Sequence, residues 1–182
     1  MAVSETSQKW IETGYELFAF VGPKDFRVEK LAGLVGLNKS GFYHYFYDRE
    51  MFFMELMKYH CRMGELFAGE VANLKNFDPG YFNLLMKYKT GLFVQMHLRK
   101  NINNPVFREG YEKVKKLNDL NQIPLWAKYL GIPGNHELAS ELMEIARDMV
   151  YTRLSIEMVN LDVLAVMFGG IKRIVEKLSS KK

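Results

Sequence analysis

The segment from Val28 to Phe46, VEKLAGLVGLNKSGFYHYF, restricts the fold more than any other part of the chain. Two short helical patterns flank Gly36, which suits a tight turn in a backbone conformation that most residues avoid. Ala32 supplies a small side chain where a second helix can cross closely. Leu31, Val35, Leu37, Phe42 and Tyr45 supply apolar positions for the two helices to face each other. A third helical pattern lies upstream to cover them: Trp10, Ile11, Leu17, Phe18 and Val21 recur at helical spacing between Thr6 and Val21, and Gly22-Pro23 stops it.

The six-ring run Phe42 to Tyr47 belongs to the second of these helices. With Asn38 as N-cap, Phe42, Tyr45 and Phe46 fall at i, i+3 and i+4 on one apolar stripe. Lys39 and Tyr43 are four residues apart, as are Ser40 and His44, and these four share the other side with Gly41 at its edge. That side offers a cation, a hydroxyl, a phenol and an imidazole near a helix N-terminus, where backbone N–H groups also favour phosphate. The same residues would equally make an ordinary solvated face, and their spacing leaves both readings open.

The remainder reads as helices separated by breakers. Asp48 caps a long helix running to about Leu74, and Asp78-Pro79-Gly80 ends that region. One helix follows near Tyr81–Lys100 and another from about Pro105. Pro124 and the Gly131–Asn135 loop break the later part, and two long segments remain near His136–Met158 and Leu161–Leu178, the second capped by Asn160. Period-two alternation bounded by turns is weak, so the chain is expected to be all-α.

Hydrophobic residues make up 48% of the 182, enough to bury a core. No apolar run approaches the ~18 residues that span a bilayer. The N-terminus lacks a basic-then-apolar secretory pattern, and the lone Cys61 rules out an internal disulfide framework, so the cytoplasm is the expected compartment. The formal charge of +4 fits an acidic partner, yet residues 1–50 hold six Lys/Arg against seven Asp/Glu, a net −1. An argument for nucleic acid therefore rests on where the charges stand.

The run from Trp10 to Phe52 resembles the DNA-binding domain of the tetracycline-repressor-like (TetR) family of transcriptional regulators. The matching stretches are WIETGYELFAFVG, VEKLAGLVGLNKSGFYHYF and DREMFF. They occupy the places of the family's Phe-x-x-x-Gly, Leu-Ala, Ala-Gly-Val-Ser-Lys, Leu-Tyr-x-x-Phe and Lys-Glu elements. The resemblance implies a homodimer whose Lys39 and Tyr43 touch phosphates on a double-stranded DNA operator. Ser40, Gly41 and His44 would lie at or near base edges, and Arg49 would hold the backbone. Arg27 stands where the family usually caps the second helix with Thr or Ser; arginine can reach a phosphate but cannot cap. Gly41 replaces a Thr or Ala, which removes a methyl contact to thymine and lowers helix propensity. The implied organisation is a three-helix helix-turn-helix DNA-binding domain over residues 1–50 and a larger helical effector-binding and dimerisation domain over 51–182.

In the later helices Leu161, Leu164, Phe168, Ile171, Val175 and Leu178 step 3, 4, 3, 4, 3, the spacing of a single packing seam. Leu138, Leu142, Ile145 and Met149 form a similar stripe. An intramolecular hairpin would bury both; the family's use of its last two helices as a four-helix dimer interface implies that these stripes also meet a second copy. The resemblance further implies an effector pocket in the central helices. Leu85, Tyr88, Leu92 and Met96 recur with Tyr81 on one stripe, and His60, Met63, Phe67, Phe107, Trp126, Tyr129 and Met143 could join from neighbours. Such a lining suits a small, mostly apolar molecule, with His60, His97 or Arg147 fixing a polar group. Ordinary core would look the same.

The expected protein is a ligand-responsive regulator, most simply a repressor released from a palindromic operator by its effector. A helical interaction or ligand-binding module without DNA binding is the alternative, kept open by the net −1 of residues 1–50. A helical-bundle enzyme is a third reading. Against it, no histidine follows a Glu at the spacing of di-iron sites, Cys61 lacks a recognisable base and there is no Gly-rich phosphate loop. No catalytic residue, metal site or cofactor is therefore expected.

Overall fold

Asn38 and Asp48 bracket the ring-rich helix as their side chains dictate. In the computed structural model, which describes residues 5–180, Asn38 Oδ1 accepts the Gly41 N–H at 3.0 Å and Asp48 Oδ1 accepts the Met51 N–H at 2.7 Å. All regular structure among the described residues is helical: α1 (Glu5–Asp25), α2 (Val28–Val35), α3 (Lys39–Phe46), α4 (Arg49–Ala72), α5 (Gly80–Lys87), α6 (Lys89–Lys100), α7 (Pro105–Tyr129), α8 (His136–Arg153) and α9 (Leu161–Ser179), with a 3-10 turn at Ile156–Met158. Packing divides the chain into two compact units, one of 1–63 and 90–114, the other of 64–89 and 115–182.

The first unit is built on rings. Phe18 lies 5.5 Å from Phe53 and 5.7 Å from Phe107, edge to face, and Phe42 meets Trp10 at 5.7 Å and Phe52 at 5.2 Å. Each such pair adds about 0.5–1.5 kcal/mol beyond its buried area. Gly14 lets α1 close on this cluster, since a Cβ there would stand 2.3 Å from Phe52 Cζ. The expected stop at Gly22-Pro23 is a kink: Gly22 adopts φ 69°, ψ 178°, and one more turn follows to Asp25.

In the second unit Phe77, Trp126 and Phe168 form a ring cluster with centroids 4.9–5.8 Å apart. Asn135 and Asn160 cap α8 and α9 by accepting the N–H groups of Leu138 at 3.2 Å and Val163 at 3.0 Å. A polar chain runs through the same unit. The Tyr81 hydroxyl donates to Gln122 Oε1 at 2.8 Å, and Gln122 Nε2 donates to Asp119 at 3.1 Å. Asp119 pairs with Arg147, and Arg147 with Glu144.

Several elements differ from the sequence reading. The expected helix over Tyr81–Lys100 is two helices, broken at Tyr88, whose N–H is shared between the carbonyls of Leu84 and Met86. The chain passes from the second unit to the first at this break. Pro124 does not interrupt α7. It lies on the exposed side, where water can satisfy the carbonyl four residues back, and the cost of about 3 kcal/mol is matched by burying a ring the size of Trp126, about 4 kcal/mol. The penultimate helix ends at Arg153, short of Met158.

Leu37 and Tyr45, assigned to the core by spacing, are exposed, because α3 has only two turns and Phe42 and Phe46 already fill its buried side. Leu164, Phe168, Ile171 and Val175, expected at a dimer interface, are buried within the chain. α9 packs on α8 and α5, and Phe168 meets Phe82 at 5.5 Å, so this stripe is an intramolecular seam.

Candidate nucleic-acid interface

α2 and α3 meet through a turn whose geometry follows from Gly36. Gly36 takes the left-handed conformation (φ 77°, ψ 27°), and both its N–H and that of Leu37 bond to the Ala32 carbonyl, at 3.0 and 3.1 Å. The orphan carbonyls at the end of α2 are thus satisfied within the turn, and α3 starts two residues later in a fixed direction. Leu31, Ala32, Val35, Phe42 and Phe46 face inward.

What remains on α3 is the polar side. Lys39, Ser40, Tyr43 and His44 are exposed and Gly41 is half-buried, as their four-residue spacing requires. Asn38 fixes the first turn twice over, because the Ser40 hydroxyl also donates to its Oδ1 at 2.7 Å. Lys39 lies 5.8 Å from the centre of the Tyr43 ring and pairs with Glu29 of α2. That hydrogen bond holds the Glu29 carboxyl below its ordinary range and raises the Lys39 ammonium. Both groups are solvent-exposed, so the pair is readily exchanged for another anion.

Arg27 occupies the N-cap position of α2 without capping it. Its guanidinium turns back to the carbonyl of Lys24 at 2.7 Å, and the first turn of α2 gains no side-chain bond. Arg49, at the start of α4, stands over the Phe53 ring at 5.6 Å and only weakly meets Glu50, at 3.9 Å. A ring held that way orients the guanidinium without consuming its donors.

Sequence spacing leaves Tyr47 open between a contact to the DNA backbone and a lid on the junction. It is 82% exposed and adopts φ 61°, ψ −56°, with the Asp48 N–H bonded to the Phe46 carbonyl at 2.6 Å across it. This is a three-residue γ-turn, a strained conformation for a residue with a Cβ. It holds a phenol outward at the end of α3. The positive φ of Tyr47 is not marked by any residue type in the sequence.

The residues expected around an effector fall in both units. His60, Met63, Leu92 and Met96 belong to the first, and Phe67, Leu85, Tyr88, Trp126, Tyr129, Met143 and Arg147 to the second. His60 is buried with Nδ1 2.8 Å from the Tyr15 hydroxyl, and burial drives its pKa down to about 3. Met96, Phe67, Trp126 and Met143 are buried, and Phe67 meets Tyr88 at 5.5 Å. The Tyr88 hydroxyl donates to Glu70 at 2.5 Å, which raises its pKa to about 12. Arg147 is occupied by Asp119 and Glu144. Met63, Leu85, Leu92 and Tyr129 are half-buried. Within each unit these side chains pack as core.

No protein-family model matches the chain, and no curated protein matches it in sequence. A solved structure matches in fold: that of a proposed TetR-family transcriptional regulator from Mesorhizobium loti, with a TM-score of 0.63 and 14% identity over 96% of this chain and 98% of that one. The all-helical fold of this chain is therefore shared with that solved structure. No described helix is long and apolar enough to cross a membrane.

Proposed function

We propose that this chain is a DNA-binding transcriptional regulator acting as a homodimer, with α3 as its recognition helix. The observation that carries the reading is the α2–Gly36–α3 unit, which presents Lys39, Ser40, Tyr43 and His44 outward from a helix start fixed by Asn38. Lys39, Tyr43, Arg27 and Arg49 are assigned to phosphates, Ser40, Gly41 and His44 to base edges, and Tyr47 joins them as a backbone contact. On approach to DNA, Lys39 exchanges Glu29 for a phosphate. Both partners of that pair are solvent-exposed, so the exchange gives up little.

Two recognition helices must enter successive major grooves on one face of the duplex, which requires a second copy. Leu138 and Ile145 of α8 and Leu161, Val166, Ile174 and Leu178 of α9 remain exposed, with Leu142 and Met149 half-exposed beside them. These are the positions assigned to the dimer contact. The regulator is read as a repressor that a small, mostly apolar effector releases by favouring the DNA-incompetent arrangement. The residue-level division remains 1–50 for operator binding and 51–182 for effector binding and dimerisation.

Mobility-shift titration against DNA flanking the protein's own gene tests the first part. Saturable binding is expected, weakening linearly in log–log form with salt. Lys39→Ala/Tyr43→Ala should lower affinity at least tenfold, and removing the Lys39 phosphate contact should reduce the salt slope by about 1. Full affinity in the double variant would sink the contact assignment. The alternative, a module that binds no DNA, is favoured by one observation, the Lys39–Glu29 pair. Glu29→Gln decides between them: the regulator gains affinity when Lys39 is freed, whereas the module shows no saturable binding with either residue.

A further inference from the structure

A second feature of the first unit has no part in reading DNA bases. The kinked end of α1, the start of α4, the end of α6 and the start of α7 enclose a groove of about 570 Å³. Lys24, Arg49 and Lys100 line it, with Glu50 as the only carboxylate among its lining residues. Neither Lys24 nor Lys100 forms an ion pair among the described residues, and Arg49 meets Glu50 only at 3.9 Å. Three cations around one concavity repel one another, and an anion placed among them relieves that repulsion.

The groove also has an apolar wall. Phe53 and Phe107 stand edge to face with centroids 5.4 Å apart, and Arg49 lies over the Phe53 ring. Among the nearby amides Asn101 and Asn104 are committed: Asn101 Nδ2 donates to the His97 carbonyl at 2.9 Å, and Asn104 Oδ1 caps α7 through the Val106 N–H at 3.0 Å. Asn103 is exposed, and its side chain makes no hydrogen bond among the described residues. Free ammonium donors, a pre-oriented guanidinium and an uncommitted amide thus stand beside an aromatic wall, in a volume that suits a small molecule.

We propose that this groove binds a small organic anion, a carboxylate or phosphate on an aromatic or aliphatic body, with the anionic group among Lys24, Arg49 and Lys100 and the body against Phe53 and Phe107. The site is distinct from the recognition face of α3, and of the residues considered for the apolar effector it includes only Phe107. Binding there requires no DNA, and because Arg49 is also assigned to a DNA phosphate, the test substitutes Lys24 and Lys100 instead.

Calorimetric titration of the intact protein tests it with three probes: phenyl phosphate, inorganic phosphate and phenol. Phenyl phosphate is expected to bind saturably, at least tenfold more tightly than either other probe. In Lys24→Ala/Lys100→Ala that affinity should fall about tenfold or more, with circular dichroism and melting temperature unchanged because both lysines are exposed. Lys24→Gln/Lys100→Gln repeats the test if the alanine variant loses its fold. Absence of saturable binding, equal binding of phenol, equal binding of inorganic phosphate, or full affinity in both variants would each overturn the assignment. So would variants that weaken operator binding while phenyl phosphate never binds, because the groove would then be a contact for the DNA backbone.

Discussion

At the scale of single residues, burial decides which of two similar side chains can take part in function. His44 and His60 are both histidines within helices, yet His44 is exposed on α3 and His60 is sealed in the first unit against Tyr15. The Tyr15 hydroxyl and His60 Nδ1 share a hydrogen bond at 2.8 Å, and His60 Nε2 is buried without a hydrogen-bond partner among the described residues. Burial lowers the pKa from 6.5 to about 3, so the folded protein keeps this ring neutral where the unfolded chain would protonate it. Between those two values the unfolded state binds more protons, and stability must fall as the pH falls. Denaturation at pH 7 and pH 5 should show a slope of up to about 1.4 kcal/mol per pH unit from this group. His97, also lowered by burial, adds in the same direction. His60→Gln should make the dependence shallower; an unchanged profile would mean that His60 does not govern it.

At the scale of elements, two glycines of the same motif predict opposite responses. Gly36 needs positive φ, and an alanine there would force a left-handed backbone on a residue with a Cβ, costing about 1–2 kcal/mol. Gly41 lies inside α3 with only ordinary contacts awaiting a Cβ, the nearest at 3.6 Å to Asn38 Oδ1. Gly41→Ala should therefore stabilise the helix by about 0.8–1 kcal/mol. Thermal melting checks both: Gly36→Ala lowers the midpoint and Gly41→Ala raises it. If Gly41 is retained because the helix approaches base edges, Gly41→Ala should also change operator preference while improving stability. The Pro124 position teaches the converse lesson. A local breaker is overridden when the surrounding helix has Trp126, Ile123 and Ala127 to bury.

At the scale of the whole molecule, the question is which apolar surface is left for a second copy. The heptad-like stripe of α9 is consumed by α5 and α8, and the outward face carries Val166, Ile174 and Leu178 at 59–66% exposure. If the proposed homodimer forms through this face, Ile174→Glu/Leu178→Glu should halve the mass in sedimentation while leaving the fold intact, because neither side chain is buried. The same charges placed at Leu164 and Phe168 should unfold the protein instead. Dimerisation unaffected by the Ile174/Leu178 pair would remove this face from the interface. Much of this molecule was legible in the residues: the all-helical class, the helix-turn-helix at Val28–Phe46 and the caps at Asn38, Asp48 and Asn160 follow from local geometry that neighbours in sequence impose. So does the polar side of α3, because a 3.6-residue period sorts Lys39, Ser40, Tyr43 and His44 together without help. Periodicity names a buried stripe but not what covers it, so Leu164 to Val175 could be read as an interface until α5 was seen to occupy it. Tyr45, Tyr47 and the groove of Lys24, Arg49 and Lys100 depend on residues far apart in the chain or on a backbone angle, and only tertiary packing could decide them.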